Sequence, residues 1–368
     1  MTVDDRQKWN ARYREQQEPS PPSPFLVGLD GLLPRRGRAL DVAGGSGRHA
    51  LWLARRGLET TLADVSEIAL EKAAEAAGRP VPCDSEAAIY AELGLAYIEP
   101  ELREGWGEIE AAERGTLPVL LEERDLRGLI HLHTTASDGR DSLEDMVAAA
   151  RGAGYSYAAI TDHSQSAAYA GGLNRPQVLA QREEIRLLRR TFPDFRIFHG
   201  IEADILADGS IDYGDEFLKG FDIVVASVHS RFGLPRDEQT RRLIRAVENP
   251  LVSVLGHPTG RLLLSREGAN ADWEAVIDAA AKSGCAVEVN CNPERLDLDW
   301  RLCRRAAEAG VLLSIDPDAH SVAELDLVSL GVGIARKGWV AAAATLNARS
   351  ADELVAWLER RRGEPLPD

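Results

Sequence analysis

Seven of the eight histidines lie between His131 and His320, and six of these follow or end short apolar runs. His131-Leu132-His133 places two imidazoles on one side of an extended segment, because strand side chains alternate with a period of two. Asp138 follows in the next turn, and His163 follows Thr161-Asp162. Glu202 ends a third run, His229 a fourth and His257 a fifth; Asp318-Ala319-His320 ends the seventh and repeats the period-two pair. Nine nitrogen and oxygen ligands are too many for one ion. They suit two or three divalent metals such as Zn²⁺, Mn²⁺ or Fe²⁺, with Glu202 placed to bridge two of them. Two such ions about 3.5–4 Å apart lower the pKa of a bound water and clamp both oxygens of an in-line displacement at phosphorus. The chemistry implied is hydrolysis of a phosphate ester. His199 stands three residues before Glu202, so alternation puts it on the opposite strand face, where it reads as packing.

These residues need strands to align them and helices to return the chain. Short apolar, β-branched runs at 129–134, 157–161, 196–201, 222–228, 252–256, 286–290 and 311–315 read as buried parallel strands, with an eighth candidate at Gly331–Ala335. Helix-like stretches run from Asp141-Ser142 to Ala153, Arg175 to Arg190, Asp237 to Val247, Trp273 to Lys282 and Asp299 to Ala309. Several stop at Gly or just before Pro, as helix ends do. Strand–helix alternation repeated about seven times points to a (β/α) barrel, whose C-terminal strand ends converge on one mouth. All nine candidate ligands would then face a single cavity.

The same segments carry a family resemblance. His131–Gly139, Ile160–Ser164, Gly200–Ile205, Ala226–Ser230, Gly256–Arg261 and Asp318–Ser321 are similar to the PHP (polymerase and histidinol phosphatase) domain. The form resembled is the one found at the C-terminus of bacterial family X DNA polymerases, and the likeness covers about 126–368. It implies a distorted (β/α)7 TIM-like barrel with a trinuclear metal site. In that scheme His131, His133, Glu202 and Asp318 hold one ion; Glu202, His229 and His257 a second; Asp138, His163 and His320 a third. It further implies manganese-dependent 3′–5′ exonuclease or 3′-end processing of DNA, with a small-molecule phosphatase of the histidinol-phosphatase type as the alternative. Asp316-Pro317 and Glu294 depart from the family pattern; the Asp316 charge and the missing Pro317 donor would act beside the ligands.

Other polar groups invite roles. Arg261, four residues after His257, could grip a phosphate bidentately or form a surface salt bridge, and Arg231 is a second candidate of this kind. Asp162 could orient an imidazole in catalysis or cap a turn. Asn290, like Asn292, could touch substrate or only shape its loop. Cys285, Cys291 and Cys303 read as buried thiols.

The N-terminal part reads differently. A strand at Arg38–Val42 meets the turn Ala43–Gly47, a helix from Arg48 to Arg56, a second strand at Thr60–Val65 and a helix over Glu67–Ala77, before Gly78-Arg79-Pro80 breaks the pattern. Asp41–Ala50 resembles the first motif of class I S-adenosylmethionine-dependent methyltransferases, with Asp64 as a ribose-binding carboxylate, and Trp9–Arg14 resembles the entry to such enzymes. Only two βα units fit, so the resemblance implies a partial Rossmann-like βαβα fragment, and S-adenosylmethionine binding is not expected. Residues 84–127 carry 12 acidic and 4 basic side chains and resemble the segment joining polymerase and PHP parts. Three regions are therefore expected: a truncated fragment (1–83), an acidic linker (84–127) and the phosphoesterase barrel (128–368).

Composition bounds the partners. The 368 residues carry a formal net charge of −16, which excludes a basic phosphate-binding stripe and predicts no tight nonspecific nucleic-acid binding. Bound cations would reverse the field locally, so a phosphate-ester substrate, including DNA 3′ ends, is compatible. No apolar run approaches a membrane span of about 20 residues. With no secretory pattern in the first ten residues and four scattered cysteines, the expected setting is cytoplasmic.

Overall fold

The computed structural model describes residues 3–16, 20–77 and 85–367. The expected break at 78–80 and the expected boundary between 83 and 84 lie outside the described residues. Two compact units form: Met1–Glu99 with Gly105–Leu117, and Pro100–Glu104 with Pro118–Asp368.

In the first unit β1 (Arg38–Val42) and β2 (Glu59–Ala63) pair in parallel, from Arg38 opposite Glu59 to Val42 opposite Ala63. The helix Arg48–Arg55 joins them and Glu67–Ala77 follows. The glycine turn is closed by the chain's own side chains. Asp64 accepts from the Gly45 and Ser66 amides at 2.8 Å, and Asp41 accepts from the Ala50 amide. The Tyr13 hydroxyl lies where a Cβ on Gly45 would fall, 2.3 Å away. Asp64, expected at a ribose, is thus already committed.

The second unit is a seven-stranded parallel barrel: β3 (Gly128–Leu132), β4 (Tyr157–Ile160), β5 (Arg196–Asp204), β6 (Ile223–Ser227), β7 (Val254–Leu255), β8 (Ala286–Asn290) and β9 (Leu313–Asp316). Neighbours in space follow sequence order. The first and last strands meet where His133 N–H donates to Ala319 O at 2.9 Å. Helices Leu143–Gly152, Arg175–Thr191, Arg236–Glu248, Trp273–Ser283 and Trp300–Glu308 return the chain. Ser142, Asn174, Asp272 and Asp299 cap four of them by accepting first-turn amides.

One element departs from expectation. Gly331–Ala335 is not a strand but part of the helix Val328–Lys337. Val328, Gly331, Val332 and Ala335 are buried at helical spacing, which a short apolar run conceals. A further helix, Ala351–Arg362, was not foreseen.

Alternation along the strands sorts two cores. Ala158, Ile160, Ile197, Ile201, Val224 and Ala226 point outward and pack beneath the helices. Tyr157, Ala159, Phe198, Ile223, Val225, Val254 and Ala286 fill the lumen with Leu354, Trp357 and Leu358 from the Ala351–Arg362 helix. On β5 this rule carries Phe198 and Glu202 to the lumen and His199 outward, where its buried ring lies 5.0 Å from Phe221.

Candidate metal centre

The nine expected ligands converge above the lumen core, and strict strand geometry does not place all of them. The β3–β4 register shifts between Leu129 and Leu132, a bulge that lets Ile130 join the lumen core while the next residue, His131, enters the site. His131, His257 and Asp318 have φ of 63°, 22° and 51°. Non-glycine residues seldom occupy that region, and such strain is tolerated where surrounding structure over-determines it.

Glu202 is the hub. Its Oε1 lies 2.9 Å from His257 Nε2, 3.2 Å from His229 Nε2 and 3.4 Å from His131 Nε2. Its Oε2 lies 2.6 Å from His163 Nδ1 and 3.8 Å from His133 Nε2. Asp318 Oδ1 is 3.2 Å from His133 Nε2 and 3.5 Å from His131 Nε2. Asp138 Oδ1 is 3.3 Å from His320 Nε2 and 3.6 Å from His163 Nε2. The ligand atoms gather in three overlapping groups: His131, His133 and Asp318; His133, Asp138, His163 and His320; and His163, Glu202 and His229. Relative to the expected sets, His133 also lies in the Asp138 group and His163 joins Glu202 and His229, while His257 Nε2 stays beside both, 2.9 Å from Glu202 Oε1 and 3.3 Å from His229 Nε2.

The donor set fits divalent cations. His131 Nε2, both nitrogens of His133, His163 Nδ1, His257 Nδ1 and Glu202 Oε2 are buried and, although several lie close to one another, none makes an aligned hydrogen bond. Orphaned polar atoms in one dry cavity are costly unless something coordinates them. Imidazole and carboxylate donors together suit Zn²⁺, Mn²⁺ or Fe²⁺.

The field is uneven. Burial opposes the charge on Glu202 and Asp318, yet the surrounding imidazoles hold both carboxyls well below their usual range. Burial likewise opposes charge on His131, but Glu288, Asp318 and Glu202 raise it well above its ordinary value. Against the same burial, His229 is pushed up to about 10 by Glu202 and Asp204, and His320 to about 9 by Asp138 and Asp318. Burial, with His163 and His320 nearby, drives His133 down to about 3.

Partners behind the ligands were not read from sequence. Glu288 Oε1 lies 2.5 Å from His131 Nδ1, and its other oxygen accepts from the His257 amide. Asp204 lies 2.8 Å from His229 Nδ1. Each fixes the ring so that Nε2 faces the cluster. Glu288 was detectable as the single acid of β8, whereas Asp204 shares β5 with Arg196, His199 and Glu202.

Four proposed substrate or catalytic residues fall as follows. Asp162 is fully buried and touches no imidazole. It accepts from Thr134 N, Thr134 Oγ1, Ser137 Oγ and Gln181 Nε2, so it holds the turn that carries Asp138. Asn290 is also fully buried; its amide donates to Asp318 Oδ2 at 3.0 Å and Glu288 Oε2 at 3.1 Å, which places it behind a ligand rather than at substrate. The Arg261 guanidinium donates to Arg295 O, Leu296 O and Asp299 Oδ2 and is spent on that loop. Arg231 is exposed, two residues beyond His229, with φ 58°. Burial and Glu288 push the Asp316 carboxyl well above the usual range, which opposes the negative charge expected of it beside the ligands.

The PHP domain family model matches residues 130–292, a span holding seven of the nine ligands. A probable phosphatase of Caldicellulosiruptor saccharolyticus is 30% identical over 204 residues, 52% of this chain and 78% of that protein. The chain belongs to the PHP domain family. A DNA polymerase/3′-5′ exonuclease PolX of Bacillus subtilis is 43% identical over 276 residues, 75% of this chain; the chain spans 48% of that relative's length. A probable phosphatase of Shewanella sediminis is 29% identical over 248 residues, 65% of this chain and 96% of that protein. The crystal structure of a histidinol phosphate phosphatase from Lactococcus lactis, complexed with zinc, L-histidinol and phosphate, aligns with a TM-score of 0.45 at 18% identity over 58% of this chain and 94% of that one. A DNA polymerase beta thumb model matches residues 44–104, where the methyltransferase-like fragment was expected, and gives that expectation no support. PHP membership and the ligand cluster make this chain a metal-dependent hydrolase of phosphate esters. No helix among the described residues is long and apolar enough to cross a membrane.

Proposed function

We propose that this PHP barrel hydrolyses phosphodiesters at the 3′ end of a DNA strand. The observation that carries the reading is the convergence of eight His, Asp and Glu side chains in three groups, with His257 2.9 Å from Glu202, in a chain 43% identical, over 276 residues, to a polymerase/3′-5′ exonuclease. Divalent ions bound there supply Lewis acidity and a water acidified enough to attack phosphorus. The chain's own residues do the rest. Glu202 bridges the groups, Glu288 and Asp204 fix the rings of His131 and His229, and Asn290 steadies Asp318. Arg231, exposed beside the mouth, is placed to meet the nucleic-acid backbone. The native ions are Mn²⁺, Zn²⁺ or Fe²⁺ in this reading, and S-adenosylmethionine has no part in it.

A small phosphomonoester is the second reading, favoured by two probable phosphatases that match over 78% and 96% of their lengths. A side-by-side assay with Mn²⁺ decides between them, using 3′-labelled single-stranded DNA, an abasic duplex and histidinol phosphate. Shortening of the labelled strand, abolished by His131→Ala or Asp318→Ala, is the expected result. Release of phosphate from histidinol phosphate alone overturns the exonuclease reading, and unchanged turnover in both variants overturns the metal centre.

A further inference from the structure

One guanidinium beside the metal centre is not fully used. The Arg295 side chain is 19% exposed, and its Nε lies 3.8 Å from Asp318 Oδ2, beyond hydrogen-bond reach. Its Nη1 is buried with no hydrogen-bond partner. A structural arginine would close that gap, because an unsatisfied buried donor costs about 1–3 kcal/mol. The rest of the loop is tightly held. Arg295 N donates to Asn292 O at 2.8 Å, and Arg295 O accepts from Arg261 Nε at 2.8 Å. The buried Asp297 carboxylate accepts from Thr259 N, Thr259 Oγ1 and Gly260 N, each at 2.9 Å. Two side chains thus clamp the 292–299 loop to the segment after His257. A rigid, incompletely paired planar cation beside a metal ligand matches the geometry of a phosphoryl group, whose oxygens accept from such a fork.

We propose that Arg295 is a substrate-binding residue that takes a non-bridging phosphoryl oxygen, and that Arg261 is the positioning residue that sets it. The proposal rests on the phosphoesterase reading of the site. It relocates the phosphate grip expected at Arg261 to the residue Arg261 holds.

The test uses the full chain loaded with Mn²⁺ and inorganic phosphate as the probe, with calorimetry for affinity and elemental analysis for metal content. Arg295→Gln should weaken phosphate binding by about 10- to 100-fold, and Arg295→Lys by about tenfold, with metal content unchanged. If Arg295→Gln does not fold, Arg295→Lys carries the measurement. Arg261→Lys should weaken phosphate on its own but add nothing to Arg295→Lys in the double variant, which separates positioning through Arg295 from direct contact. Phosphate affinity within about twofold of the parent protein in the Arg295 variants overturns the proposal. So does metal loss in step with phosphate loss, which would make Arg295 only a partner of Asp318. Phosphate binding needs no turnover, so a chain that cleaves no ester fails the phosphoesterase reading while leaving this measurement intact.

Discussion

At the scale of single residues, type and spacing point to nine donors that the fold brings together, but not to what stands behind them. An imidazole at a strand end announces itself; the carboxylate that orients it lies far off in sequence, as Glu288 does from His131, 157 positions away. The arginines show the same blindness, because a guanidinium's neighbours in sequence do not tell where its hydrogens point. Glu288→Gln should keep the fold and lower metal affinity by about 10- to 100-fold, read by competition with a chromophoric chelator; unchanged affinity would assign Glu288 to packing alone. His199 supplies a pH prediction outside the ligand set. Burial, with Arg182, Arg189 and Arg186 nearby, lowers it from 6.5 to about 3. The fold therefore needs it neutral, while the unfolded chain takes a proton below 6.5. Its contribution is present above pH 6.5 and is lost as the pH falls toward 3, by up to about 1.4 kcal/mol per unit. His199→Leu should flatten the decline of the urea midpoint between pH 7 and 5, and a parallel decline in both proteins would sink the idea.

At the scale of elements, all seven barrel strands were legible because each is a short apolar run closed by Gly, Pro or a capping residue. The bulge in β3 was not, since a period-two reading of His131 and His133 needs no irregularity. The misread segment 331–335 shows the other weakness: glycines and small apolar residues fit a buried strand and a packed helix equally until tertiary contacts decide. The Ala351–Arg362 helix went unread although Ser350 and Glu353 form a capping box at its start. Its Arg361 donates to the carbonyls of Val247, Asn249, Val252 and Ser283. Arg361→Ala leaves those acceptors without a donor and should cost about 2–4 kcal/mol, measured as a lower denaturant midpoint at constant m. Loss below about 0.5 kcal/mol would mean water replaces the guanidinium freely.

At the scale of the whole molecule, the charge of −16 is reshaped locally by what the barrel binds. His131, His229 and His320 are held above their ordinary range by the carboxylates around them. Cations and protons therefore compete for the same rings, so loading should release protons and affinity should rise from pH 6 to 9. Titration with Mn²⁺ in buffers of different ionisation enthalpy reads this directly; heats independent of the buffer would refute it. Domain organisation was less legible than the site. The acidic segment reads as one linker, yet Pro100–Glu104 groups with the barrel, where Glu101 pairs with Arg336 at 2.7 Å and Glu104 with Lys337 at 2.5 Å. An ion pair such as Glu101 with Arg336, spanning 235 positions, leaves no local trace.

The helix that closes the lumen core also bears on the order of assembly. Every ligand lies between residues 131 and 320, while Leu354, Trp357 and Leu358 come later in the chain. During synthesis all nine donors leave the ribosome before the wedge that dries the barrel from below. A nascent chain stalled short of residue 351 would carry the complete ligand set on an open-floored, wet cylinder. A chain cut before residue 351 should therefore bind Mn²⁺ more weakly than the full chain, because its donors would still face competing water; equal affinity would refute the dependence.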